Sequence, residues 1–108
     1  MDIQIESNGD CRIIRIKEKV TFEHCELFHN QVKPALDESV REIVIDFKDV
    51  PFMDSSGIGE ILRIFRVMQD RNGQLTLINP NQKLRDLFAM YRFEQYMKIL
   101  DKVEAGQE

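Results

Sequence analysis

The chain has 108 residues, with 19 acidic against 15 basic side chains and a net charge of −4, which bounds it to one domain and excludes a multidomain enzyme. An apolar content of 43% supplies a core at this size without disulfide or metal staples. The acidic balance, with no run of Lys and Arg, excludes a general binder of nucleic-acid phosphates and points to proteins or small molecules as partners.

The N-terminus shows no basic segment followed by an apolar stretch, and no apolar run approaches the roughly 18 residues that span a bilayer. A cytoplasmic protein without membrane insertion is expected. Ile3 and Ile5 alternate with Gln4 and Glu6, Asn8-Gly9 follows, and then Arg12-Ile13-Ile14-Arg15-Ile16. Asn-Gly favours positive φ at both turn positions, so an antiparallel hairpin opens the fold. Thr21 precedes Phe22-Glu23-His24, and Phe28, Val32, Ala35 and Leu36 form the stripe of a helix packed on a sheet. Thr21 is the expected N-cap, and Pro34 predicts a bend or boundary.

Ile43-Val44-Ile45-Asp46-Phe47 has the composition of a strand covered on both faces. A second helix is predicted after Asp54, carrying Ile58, Ile61, Leu62, Phe65 and Met68 on its stripe, with Asn72-Gly73 as a left-handed end. Leu75 to Ile78 is the next strand, Asn79-Pro80 starts a third helix bearing Leu84, Leu87 and Phe88, and a last strand lies near Tyr96 to Leu100. The result is one α/β domain over 1–103, followed by a fraying polar tail over 104–108. Its sheet is mixed and mostly parallel, with an antiparallel N-terminal hairpin and about three to four helices.

The informative stretch runs from Asp46 to Gly59, between a strand and a helix, where open α/β sheets place their ligand or partner face. Asp46, Asp54, Ser55 and Ser56 are expected on that face. Gly57 and Gly59 in the first helical turn each cost on the order of 1 kcal/mol in propensity, so a close-approaching partner or helix-to-strand packing must want the backbone bare. From spacing alone the string serves equally well as a capped helix start with no further role.

The string Phe52-Met53-Asp54-Ser55-Ser56-Gly57-Ile58-Gly59, placed after the strand ending in Asp46 and Phe47, closely resembles the phosphorylation segment of STAS domains, specifically the bacterial anti-sigma factor antagonists. The opening hairpin, the Ile43 to Asp49 strand, the Gly73 turn into Leu75 to Ile78 and the Leu84-Leu87-Phe88 helix all have counterparts in order. The resemblance implies that Ser55 is phosphorylated by a partner that is both anti-sigma factor and serine kinase. It implies binding while unphosphorylated, release on phosphorylation, restoration by a serine phosphatase, and no catalysis by the antagonist itself. Ser56 would be a helper or cap. The partner-binding set is then Asp46, Asp54, Ser56, Gly57, Ile58, Gly59 and Arg63, no cofactor or metal is implied, and a monomer is the default. Asp46, Asp49, Asp54 and Glu60, close in sequence, would form an acidic face that a phosphate thickens. Glu18-Lys19-Val20-Thr21 stands where the family usually carries Gly-Glu-Leu-Asp or something near it, which bears on partner choice.

Other constellations are weaker. His24 and His29 lie five apart, neither three nor four, and are expected at the surface without a metal. Met53, Met68, Met90 and Met97 are expected to fill the core. Ile64, off the stripe, is expected to form an exposed apolar patch with Gly59 and Arg63 beside Ser55. Gly57-Ile58-Gly59 lacks the lysine of a P-loop and the third glycine of a dinucleotide fingerprint, and no catalytic triad order stands out. Two other roles fit the same motif. One is a STAS subunit docking on a transporter or multiprotein signalling assembly, and the other a small nucleotide-binding or hydrolytic domain using the Ser55 helix start as a phosphate cradle.

Overall fold

The computed structural model describes residues 1–101. The polar tail expected at 104–108, and the expected domain end at 103, lie outside the described residues. Five strands form a single sheet in sequential order among the described residues: β1 (Ile3–Asn8), β2 (Cys11–Ile16), β3 (Glu42–Asp46), β4 (Gln74–Ile78) and β5 (Lys98–Leu100). β1 and β2 pair antiparallel, with Ile3 opposite Ile16, and every later pair is parallel. The helices are α1 (Cys25–Val32), α2 (Ser55–Asp70) and α3 (Gln82–Met90), with short 3₁₀ turns at Phe22–His24, Lys33–Ala35 and Phe93–Gln95. The mixed, mostly parallel α/β sheet expected from the sequence is the observed architecture.

Strand residues of one parity, Ile14 and Ile16, Ile43 and Ile45, Leu75 and Leu77, meet Phe28 and Val32 of α1, Ile58, Ile61, Ile64 and Met68 of α2, and Leu84 and Phe88 of α3 in one buried cluster. The helices therefore share one face of the sheet. Each parallel crossover steps to the next strand in the same direction, so crossovers of one hand return to the same side. Val44, of the opposite parity, is only half-buried. The expectation that β3 is covered on both faces is corrected accordingly.

Local chemistry shifts several boundaries. The hairpin turn is Gly9-Asp10, not Asn8-Gly9: Asn8 pairs with Cys11, and only Gly9 has positive φ, +64°. Glycine at the first central position is the arrangement of a type II′ turn. Pro34 does end α1, sitting in the 3₁₀ turn after Val32. At the end of α2 the left-handed residue is Asn72, φ +57°. Gly73 is needed for space, because a Cβ there would lie 2.5 Å from the Arg41 carbonyl oxygen. α3 begins later than Asn79-Pro80, because Asn81 is its N-cap and accepts from the Leu84 amide at 2.8 Å. Tyr96 and Met97 precede β5 instead of opening it. Phe47, Phe88 and Phe93 then close the β5 end of the core, with ring centroids 5.4 and 5.5 Å apart.

The α2 stripe is also rotated from its expected position. Ile64 is 2% exposed, while Leu62 lies at the surface and Phe65 is half-buried. Gly57, Ile61, Ile64 and Met68 follow i, i+4, i+7, i+11 spacing, the true inward line of a 3.6-residue helix. Ile64 thus forms no patch beside Ser55. Met90, expected in the core, is exposed just before the left-handed Arg92, whereas Met53, Met68 and Met97 are buried.

Candidate functional site

The site assembles where the β2–α1 loop docks on the segment before α2. The Val20 amide donates to the Phe52 carbonyl at 3.0 Å, the Asp54 amide donates to the Val20 carbonyl at 3.3 Å, and Val20 and Met53 form an isolated parallel bridge. Both side chains are buried. This two-residue ladder fixes the loop carrying Asp54 before the helix begins.

Asp54 is the N-cap of α2, extended at φ −106°, ψ −174°. Its Oδ1 accepts the Ser56 amide at 3.0 Å and the Gly57 amide at 3.3 Å. Its Oδ2 accepts the Phe22 amide, 32 positions away, at 3.1 Å. One carboxylate therefore caps the helix and anchors the other loop at once. Such a cap is worth about 0.5–2 kcal/mol. Thr21 heads the 3₁₀ turn without a side-chain cap bond; its Oγ1 lies 3.1 Å from His24 Nδ1. Thr21 thus occupies the expected N-cap position without capping through its side chain, and Asp54 Oδ2 accepts the first amide of the turn, that of Phe22.

Ser55 is the first residue of α2 and is exposed, with Ser56 half-buried beside it. Gly57 lies under the surface, where an added Cβ would meet Met53 Cγ at 2.5 Å and the Val20 carbonyl at 2.8 Å. Of the two reasons a helix start wants bare backbone, packing accounts for Gly57. Gly59 is exposed with nothing within 4 Å of a built Cβ. Ile58 is core, 2% exposed, so it supports the site from beneath.

The expected acidic face is not what the structure presents. Asp46, 8% exposed, accepts the Lys48 amide at 2.9 Å and the Asn79 side-chain amide at 3.1 Å, and lies 3.7 Å from Arg15 Nε. Glu60, also 8% exposed, lies 3.4 Å from Arg63. Only Asp49 of the four is exposed and Asp54 is half-buried, because strand ends and helix periodicity turn Asp46 and Glu60 inward. The histidines are half-buried instead of free at the surface. His24 lies 3.6 Å from Glu18, and His29 meets the Arg63 guanidinium. Among the described residues no His/Cys/Asp/Glu group is arranged to hold a metal ion, and no helix is long and apolar enough to cross a membrane.

Sequence reasoning missed the apolar rim. Phe22 is 79% exposed and Phe52 43%, one on each side of the Val20–Met53 bridge. Phe22 stands six residues from Phe28, neither three nor four, which is the signal that it leaves the α1 stripe.

Cys25 lies beneath, its thiol donating to the Thr21 carbonyl at 3.4 Å. Burial pushes its pKa up, and the charges of Glu60 and Asp54 push it further, with Arg63 opposing. The thiolate is the reactive form. Iodoacetamide titrations should therefore give Cys25 a reactivity midpoint at higher pH in the native protein than in the urea-unfolded chain. A native midpoint at or below the unfolded one would show that burial and the carboxylates together do not raise it.

A STAS domain family model matches residues 2–106. An anti-sigma F factor antagonist of Paenibacillus polymyxa is 26% identical over 102 residues, 94% of this chain and 87% of its own length. An anti-sigma-B factor antagonist of Bacillus subtilis (strain 168) is 24% identical over 106 residues, 98% of this chain and 96% of its own. Among solved structures, the Bacillus cell fate determinant SpoIIAA in its phosphorylated form superimposes with a TM-score of 0.78 at 25% identity, covering 95% of this chain and 93% of that one.

Proposed function

We propose that this chain, which belongs to the STAS domain family, is an anti-sigma factor antagonist whose binding is switched off by phosphorylation of Ser55. The observation that carries this reading is an exposed serine hydroxyl at the first position of α2, immediately after a cap whose carboxylate is fully engaged. The names of the Paenibacillus and Bacillus relatives support the antagonist role.

In the unphosphorylated state the face around Ser55, with Ser56, Gly59, Arg63 and the rim of Asp54, meets an anti-sigma factor that is also a serine kinase. Gly57 and Ile58 hold that face from below, while Asp46, of opposite parity to the core residues of β3, is engaged by Arg15, Lys48 and Asn79. In the transfer step Ser55 Oγ attacks the γ-phosphorus of ATP, the bond to ADP breaks, and the hydroxyl proton leaves to a base on the kinase. A serine phosphatase returns the hydroxyl by hydrolysis, releasing inorganic phosphate. The chain supplies the acceptor and the binding face and performs no catalysis. The setting is the cytoplasm.

A phosphoserine adds about −1.5 to −2 charge, and the amino end of a helix accommodates an anion. With Asp46 and Glu60 paired inward, the phosphate brings most of the new negative charge to a face of mixed character. Release follows from bulk and charge meeting a partner shaped for a neutral hydroxyl. Incubation with the kinase and ATP, followed by peptide mass mapping, should place one phosphate on Ser55. Phosphate on Ser56 alone, or none, would overturn the reading.

A further inference from the structure

Phe22 is held in place by a side chain adjacent to the proposed phosphoacceptor, and nothing in the fold covers it. Its amide is fixed by Asp54 Oδ2 at 3.1 Å, its neighbour Val20 is laddered to Phe52 and Asp54, and its ring is 79% exposed. Single exposed apolar residues are ordinary on protein surfaces. What distinguishes this one is that three hydrogen bonds, donated by the backbone amides of Val20 and Asp54 to carbonyls and of Phe22 to the Asp54 carboxylate, tie its loop to the segment carrying Ser55. A second exposed phenylalanine, Phe52, lies across the same bridge. With its loop backbone held and only two side-chain torsions left to order, an aromatic here loses little conformational entropy on docking.

The geometry points to Phe22 as a specificity-determining contact for the kinase that modifies Ser55, with Asp54 as its positioning residue. This rests on the reading of Ser55 as the phosphoacceptor. The kinase would present an apolar recess beside its nucleotide site, so that seating Phe22 holds the chain on the kinase with Ser55 within its reach. Glu23 and Lys19, 3.7 Å apart and both exposed, supply polar side chains on the same loop. Asp54 serves here because the same carboxylate that starts the helix bearing Ser55 also holds the Phe22 amide.

The test uses the kinase fraction that transfers radiolabelled phosphate from ATP to the wild-type chain. Phe22→Ala should raise KM for the protein substrate by about tenfold or more, the size of an interface hot spot, with kcat and the thermal midpoint little changed. Phe22→Leu should recover most of that loss. Asp54→Ala should raise KM as well, and the double variant Phe22→Ala, Asp54→Ala should be no worse in KM than Asp54→Ala, because both act through one contact. An unchanged KM for Phe22→Ala, with wild type labelled on Ser55, overturns this inference and leaves the Ser55 reading standing. Label absent from Ser55 in the wild type overturns both.

Discussion

Replacing Ser55 by aspartate is expected to weaken binding to the anti-sigma partner by about a hundredfold or more and to shift the thermal midpoint by no more than about 2 °C. The first number follows from charge at an interface: juxtaposed like charges or a desolvated unpaired charge cost several kcal/mol, and each 1.4 kcal/mol is tenfold in affinity. The second follows from position. Ser55 is exposed at the first turn of a 16-residue helix, where a carboxylate gains roughly 0.3–1 kcal/mol from the helix dipole. Asp54 next door offsets part of that gain. Ser55→Ala should retain wild-type affinity and accept no phosphate at this position. Calorimetric titration against the partner, with circular dichroism melts alongside, measures both quantities. Retained affinity in Ser55→Asp would remove the charge switch, and a large fall in midpoint would show that the site belongs to the fold instead.

The sheet and the helices around this site were legible because their signals are periodic. Ile14 and Ile16, Ile43 and Ile45, and Leu75 and Leu77 recur with period two, Phe28 and Val32 with helical spacing, and these residues do form the core. Signals read from residue identity without three-dimensional context were less secure. Asn72-Gly73 marks the left-handed end of α2, but identity alone does not divide the roles: Asn72 takes the positive φ, and Gly73 is required by the Arg41 carbonyl of another segment. Ile64 was set off the stripe because Leu62 and Phe65 are equally apolar, and composition does not tell which of two adjacent lines faces inward.

The acids show the same limit more sharply. Sequence proximity grouped Asp46, Asp49, Asp54 and Glu60 into one face, but Arg15 and Asn79, which draw Asp46 inward, come from distant segments. The Asp54–Phe22 bond spans 32 positions, and no local pattern encodes it. The motif string marked the start of α2; the loop docked against it was visible only in the fold. Part of the site's definition lies in the β2–α1 loop.

Two glycines a helical half-turn apart should respond in opposite directions to the same substitution. Gly57→Ala is expected to lower the thermal midpoint by about 5 °C and Gly59→Ala to raise it by about 3–4 °C, taking roughly 4 °C per kcal/mol for a domain of this length. At both positions alanine gains about 0.8–1 kcal/mol of helix propensity. At Gly59 nothing opposes that gain, since a Cβ there has no neighbour within 4 Å. At Gly57 the new methyl meets Met53 Cγ at 2.5 Å and the Val20 carbonyl at 2.8 Å. The methionine side chain can swing aside, but the carbonyl accepts the Asp54 amide at 3.3 Å, so yielding there strains the ladder that holds the site. Overpacking of this kind costs about 1–3 kcal/mol, enough to overturn the propensity gain. If both variants rise, the loop is softer than the ladder implies; if both fall, Gly59 is constrained by something beyond its own open surroundings. A leucine at Gly59 separates stability from function, because it should leave the fold intact while its bulk meets any partner seated over Ser55. Loss of partner affinity in Gly59→Leu without loss of midpoint would place the exposed start of α2 inside the interface, and unchanged affinity would place the interface elsewhere on the domain.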